Sequence, residues 1–270
     1  MTTLTYTRCG EGDPLVLIHG TGGRLGVWDP IAPALANHFD VIAIDLPGCG
    51  GTPALSNPSI QSLTDSVAEF IAELGVDAHI AGNSIGGSIA LELGRRGLAR
   101  SVTAFSPAGF WSFPGDVWFQ AAMRSLHALG AALRPGLPAL LRAVPTRSLL
   151  FGLVIGRPGQ LDPRVALDDA EAVLDTVGFS TLMTSLRGYR QHPQYVADRI
   201  PVTIAWGSRD RLLIYRPQSR RAQRQLPHAQ HVVLDKCGHI PFNDDPARCA
   251  APILNQLVSS ETSSPLAKKD

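Results

Sequence analysis

One serine is set apart by its neighbours. In "AGNSIGG", Ser84 has Gly82 two residues before it and Gly86 two residues after it, at the head of an apolar, helix-like run. A serine lifted on a sharp strand-to-helix turn needs small neighbours, because flanking side chains would collide with the strained backbone. Such a turn holds the hydroxyl clear of the sheet and aims the next amide, that of Ile85, into the same space. It also lies at a helix N-terminus, whose dipole favours developing negative charge. The chemistry served would be nucleophilic attack on a carbonyl. The plainer reading is glycine used for close helix–strand packing, with Ser84 as a helix cap. Taken alone, the pattern fits both.

A serine nucleophile needs a base that titrates near neutrality, and that base needs a carboxylate to fix its tautomer. "AWGSRDRLL" puts Asp210 just past an apolar run at 202–206, and "DKCGHIPFNDDP" puts His239 just past another at 231–235. "HGTGG" at 19–23 is a glycine-rich loop that leaves backbone amides free to hold an oxyanion. Thr21 N–H is the expected donor, with Gly22 as the alternative and Ile85 N–H as its companion. A phosphate loop is disfavoured, since neither Gly-Lys-Ser/Thr nor G-x-G-x-x-G is present. His19 reads as a structural residue ordering the loop. Asp235 reads as a strand residue, and Asp244 and Asp245 as helix caps. His127, His192, His228 and His231 show no ligand-like spacing.

These residues require elements that end together. Apolar, β-branched runs at 14–20, 39–48, 78–82, 101–107, 201–207 and 231–238 predict strands. Helical periodicity predicts a helix at 59–76, with Ser59 as N-cap and Gly75 as stop, and others at 84–97, between 207 and 231, and at 246–258. This alternation argues for an α/β fold, a mostly parallel sheet flanked by helices. Parallel strands end at one edge, so Ser84, Asp210 and His239 should emerge on the same face. From 108 to about 200 the chain turns rich in Leu, Ala, Pro and Gly, with short helices expected at 117–133, 137–144 and 168–177. The expected organisation is a core of 1–107 and 201–260, a helical insertion at 108–200 and an unstructured polar tail at 261–270. In "FWSFPGDVWF" (110–119) some aromatics should pack the insertion onto the core and others line an apolar pocket.

Composition narrows the partners. The formal charge is +1, lysine occurs only at Lys236, Lys268 and Lys269, and the arginines are scattered, so no nucleic-acid face is expected. The four cysteines, Cys9, Cys49, Cys237 and Cys249, form no CxxC pair, so no metal is expected. "MTTLTYTRCG" lacks the apolar core of a secretion signal, which makes cytoplasmic placement the expectation. The most apolar run, "SLLFGLVIG", falls far short of the ~20 residues that span a membrane, so stable insertion is not expected.

"HGTGG…W" (19–28), "DLPGCGGT" (45–52), "GNSIGG" (82–87), "WGSRD" (206–210) and "CGHIPFNDDP" (237–246) recur along the chain in that order. As a set they resemble the α/β-hydrolase superfamily across nearly the whole length. The resemblance implies Ser84 as nucleophile, His239 as base, Asp210 as its orienting acid, and Thr21 and Ile85 as the oxyanion hole. It makes 108–200 a lid, or cap, inserted between the sixth and seventh strands, and Asp45 a structural acid. The family's usual acid two residues before Asp210 is Ser208 here. Carbon–carbon hydrolases that share "GNS-x-GG" typically carry Trp after the catalytic His, where this chain has Ile240. Epoxide hydrolases and haloalkane dehalogenases attack with aspartate rather than serine. The expected activity is cofactor-independent hydrolysis of a small apolar carboxylic ester through an acyl-enzyme. The alternatives are carbon–carbon hydrolysis of a diketone or ring-cleavage product, a small ketone substrate, and a non-catalytic ligand receptor on the same fold. A homodimer is compatible with the sequence.

Overall fold

The apolar runs are continuous rather than alternating, the pattern of strands covered on both faces. In the computed structural model, which describes residues 3–191 and 200–263 (257–263 as backbone alone), they build a single sheet. Its strands are β1 (Tyr6–Cys9), β2 (Asp13–Ile18), β3 (Phe39–Ile44), β4 (His79–Asn83), β5 (Ser101–Phe105), β6 (Val202–Gly207) and β7 (Gln230–Leu234). Every residue of β3, β4, β5 and β6 is buried. The strand order is β1-β3-β2-β4-β5-β6-β7. Among the described residues only the β1–β3 pair is antiparallel.

That order contains the feature which positions the site. The chain leaves β2 to form β3 on one side, then crosses to form β4 on the other. Connections diverge at such a switch, and a crevice opens at the carboxyl ends of the two strands. Ile18 of β2 pairs in register with Gly82 of β4. Past the ends of these two strands come the His19 loop and Ser84.

Ten α-helices are described: α1 (Ala32–Leu35), α2 (Ile60–Leu74), α3 (Ile85–Arg95), α4 (Phe113–Leu133), α5 (Leu137–Leu140), α6 (Val144–Phe151), α7 (Pro163–Leu174), α8 (Phe179–Ser185), α9 (Tyr215–Gln225) and α10 (Pro246–Ser263). α2 starts at a capping box between Ser59 and Ser62 and stops at Gly75, whose φ of 63° is left-handed. Side chains alternate across a strand, so β2 feeds two cores. Val16 and Ile18 join α2, α3 and α9 on one face, while Leu15 and Leu17 join α1 and α10 on the other.

The helices α4 to α8 lie between β5 and β6; Leu137, Leu141, Phe151, Ile155 and Leu161 give α5, α6 and α7 a small apolar core of their own, while α4 and α8 bury Phe119 and Phe179 in the main core. The gap expected between strands six and seven is thus the one after the fifth of the described strands. α7 begins ahead of its expected start, because the Asp162 carboxylate caps the Arg164 amide at 2.7 Å and Pro163 takes the first helical position. β1 has no counterpart in the sequence reading. It is an exposed edge strand held by its ladder and by the Arg8–Asp40 pair at 2.6 Å, so burial left no apolar period in it. α10 runs three residues into the stretch expected as tail. His192 and 264–270 lie outside the described residues.

Candidate active site

Ser84 stands between β4 and α3 with φ 57° and ψ −118°, a conformation that side-chain-bearing residues rarely adopt and that costs about 1–3 kcal/mol. Its flanking glycines are required by contact. A Cβ at Gly82 would stand 2.2 Å from the Gly86 carbonyl oxygen, and one at Gly86 would stand 2.2 Å from that of Ile18. The glycines therefore do serve close packing. Ser84, however, makes no side-chain cap bond at the α3 N-terminus, so the helix-cap reading fails. Its backbone is pinned instead. Ser84 N–H donates to Phe105 O at 2.9 Å, and Ser84 O accepts from Ser88 and Ala108 at 3.1 Å each.

Asp210 follows β6 and His239 follows β7, and the structure joins them. His239 Nδ1 lies 2.8 Å from Asp210 Oδ2, with side-chain exposures of 4% and 0%. The other carboxylate oxygen accepts from Leu212 N at 3.0 Å and Leu213 N at 2.8 Å, so the acid is fully held. With Nδ1–H donating to the carboxylate, the neutral ring presents Nε2 as an acceptor. Asn83, the residue before Ser84, donates to His239 O at 2.9 Å and ties the two loops together. No hydrogen bond joins Ser84 Oγ to His239 among the described residues, yet both line one cavity.

Asp244 was expected as a helix cap, and the structure corrects this. Its carboxylate accepts from Gly156 N and Gly238 N at 2.8 Å and from Arg157 N at 2.7 Å, clamping the His239 loop to the helical insertion. Asp245 alone serves α10, accepting from Arg248 N at 3.1 Å. Beneath the loops, Trp28 packs on Phe242 at a centroid distance of 4.3 Å, and Phe242 meets Phe105 at 5.2 Å. One aromatic cluster thus supports the loops after β2, β5 and β7.

The glycine-rich loop lies against the serine: a Cβ at Gly20 would stand 3.0 Å from Ser84 Cβ. Its amides divide by use. Gly23 N–H donates to Gly20 O at 3.0 Å, and Gly22 N–H is directed at the Cys49 sulfur. The amides of Thr21 and Ile85 have no partner among the described residues. His19 is buried beneath, with Nδ1 2.8 Å from Gly20 O and Nε2 accepting from Leu46 N at 3.0 Å. Both nitrogens are used by a neutral ring, and burial holds its pKa below the ordinary histidine value. Asp45 accepts from Leu25 N at 2.7 Å and Gly51 N at 3.0 Å, bracing the two neighbouring loops.

The cavity above Ser84 and His239 holds about 1070 Å³, counting its open mouth. Its roof is apolar, with Phe119 and Leu126 from α4, Phe151 from α6 and Val173 from α7. Phe110 and Trp111 are buried in the core instead, and Phe113 is exposed. One polar side chain of the roof, Asp169, carried no signal in the sequence. Burial without a hydrogen-bond partner for Oδ2 pushes its carboxyl up to about 7.

The sequence profile of the alpha/beta hydrolase family matches residues 15–251. The chain belongs to that family. A pimeloyl-[acyl-carrier protein] methyl ester esterase of Methylococcus capsulatus is 31% identical over 270 residues, covering 93% of this chain and 97% of the esterase. An epoxide hydrolase of Mycobacterium tuberculosis is 31% identical over 210 residues, covering 73% of this chain and 92% of its own. The crystal structure of the enol-lactonase from Burkholderia xenovorans superposes with a TM-score of 0.76 at 22% identity, covering 95% of this chain and 97% of that one. At that identity the likeness speaks to the fold. Relatives within the alpha/beta hydrolase family thus include esterase and epoxide-opening chemistry, and membership supports hydrolysis as the activity class. No described helix is long and apolar enough to cross a membrane.

Proposed function

We propose that the chain is a serine hydrolase of small apolar carboxylic esters, acting through Ser84, His239 and Asp210 without a cofactor. The observation that carries this reading is the buried 2.8 Å contact of His239 with Asp210, in one cavity with a serine on a positive-φ elbow. In the reaction His239 Nε2 takes the Ser84 proton as Oγ attacks the ester carbonyl. The oxyanion is held by Thr21 and Ile85 N–H. Collapse expels the alcohol, which leaves with the proton from His239. Water then attacks the acyl-enzyme with His239 again as base, and release of the acid restores Ser84. Asp210 keeps the imidazole in the required tautomer and stabilises imidazolium.

Residue 84 separates this reading from epoxide opening, since epoxide hydrolases attack with aspartate. The apolar roof favours an uncharged substrate. Hydrolysis of p-nitrophenyl butyrate by the native and Ser84→Ala proteins, with fluorophosphonate labelling of both, tests the proposal. Turnover and label should be present in the native protein and absent from the variant. Full esterase activity in Ser84→Ala would refute it.

A further inference from the structure

The roof of the cavity holds a group that the proposed chemistry does not use. Asp169, on α7, lines the same cavity as Ser84 and His239, among leucine, valine and phenylalanine side chains. Its carboxyl makes no hydrogen bond to any described residue, and Oδ2 is sealed from solvent as well. A half-buried carboxylate without a hydrogen-bond partner is costly, and Oδ1, the oxygen that is not sealed, is the atom a ligand group in the cavity can meet. A second unpartnered polar atom lies on the floor below: Thr21 Oγ1, buried and without a hydrogen bond. Thr21 also lines the cavity.

The elements that bear the two pack together. α7 lies on the glycine-rich loop, so that a Cβ at Gly22 would stand 3.0 Å from the Val173 side chain, one helical turn from Asp169. Arg24 donates to Asp168 O at 2.8 Å and bears electrostatically on Asp169, without forming an ion pair with it. Asp169 is thus borne on a helix that packs on the glycine-rich loop, in an otherwise apolar space shared with Ser84. The chemistry of the carboxyl selects its guest. A cation would suit only an ionised Asp169 and would face Arg24 behind it. A carboxylate would suit only a protonated one. A hydroxyl donates to the ionised form and accepts from the protonated form.

We infer that Asp169 is a specificity residue that selects esters carrying a hydroxyl group a few carbons from the scissile carbonyl. This rests on the esterase reading above and names its substrate class. The matched pair ethyl 3-hydroxybutyrate and ethyl butyrate tests it, with kcat and KM measured separately. The native protein should prefer the hydroxy ester. In Asp169→Leu the ratio of the two kcat/KM values should fall by about 10- to 100-fold, the loss of one strong hydrogen bond, and mainly through KM. Asp169→Asn, which still donates and accepts, should recover part of the ratio. An equal ratio in the native and Asp169→Leu proteins overturns the inference while leaving the esterase reading standing.

The converse is separable by binding. Calorimetry of both esters with Ser84→Ala, and with Ser84→Ala carrying Asp169→Leu, reads the preference without turnover. A preference that depends on residue 169 in a native protein that hydrolyses neither ester would sink the esterase reading and keep the anchor. No such preference would sink the anchor.

Discussion

Asp169 also ties the stability of the fold to pH. Burial pushes its carboxyl from 3.8 up to about 7, with the Arg24 charge pulling it down and Asp168 pushing it further up. His239 faces the same cavity. The folded state therefore holds this proton more tightly than the unfolded chain does. Its contribution to stability is whole below about pH 4, fades as the pH rises through 7, and is gone above that. Each tenfold change in acidity is worth about 1.36 kcal/mol, so the whole window amounts to at most about 4 kcal/mol, most of it between pH 5 and pH 8. Asp169→Asn keeps the shape and removes the titration. Urea unfolding of both proteins at the two pH values reads the difference, since groups common to both cancel. The variant should gain about 2–3 kcal/mol on the native protein between pH 5 and pH 8. The same relative stability at both pH values would show that the carboxyl is solvated or paired, and the reasoning would fail.

Gly86→Ala drives a methyl group into the backbone carbonyl of Ile18, with His19 O 2.5 Å from the same point, so neither neighbour can rotate away. It should lose more than about 3 kcal/mol in urea unfolding together with ester hydrolysis. Asp244→Ala strands three amides, at Gly156, Arg157 and Gly238, and should lower stability by about 2–4 kcal/mol and slow turnover by loosening the His239 loop. A thiol titration should count one reactive cysteine in the native protein, the exposed Cys9, and four in guanidinium. Burial raises the Cys49 thiol to about 11, so it should stay silent until the chain unfolds.

What could be read from the sequence followed from how local each feature is. Parallel strands buried on both faces write continuous apolar runs, and a capped helix writes Ser59 and Gly75 at its ends, so these elements were legible. An exposed edge strand such as β1 is held by a ladder to residues more than thirty positions away, and burial placed no demand on its side chains. The strand-end positions of Ser84, Asp210 and His239 were legible for the same reason as the strands. A residue just past a strand inherits its place from the sheet, and parallel register carries that place from one strand to the next. The contact of Asp210 with His239 needed nothing more than two neighbouring strands, β6 and β7, ending together.

The helical insertion obeys a different logic, and Asp169 shows why. Nothing about an acid in "DDAEAVLDTV" marks it off from the solvated face of an ordinary amphipathic helix. It lies over the site because Val173 packs against a glycine some 150 positions earlier, and because Asp244, beside His239, clamps Gly156 and Arg157. Those contacts set the height of the roof above the serine. Groups borne on strand ends are specified by short-range pattern, whereas those of the helical roof are placed by long-range packing. The two can therefore vary independently, since a substitution at 169 changes what the cavity admits without touching the elbow, the histidine loop or the amides of the floor.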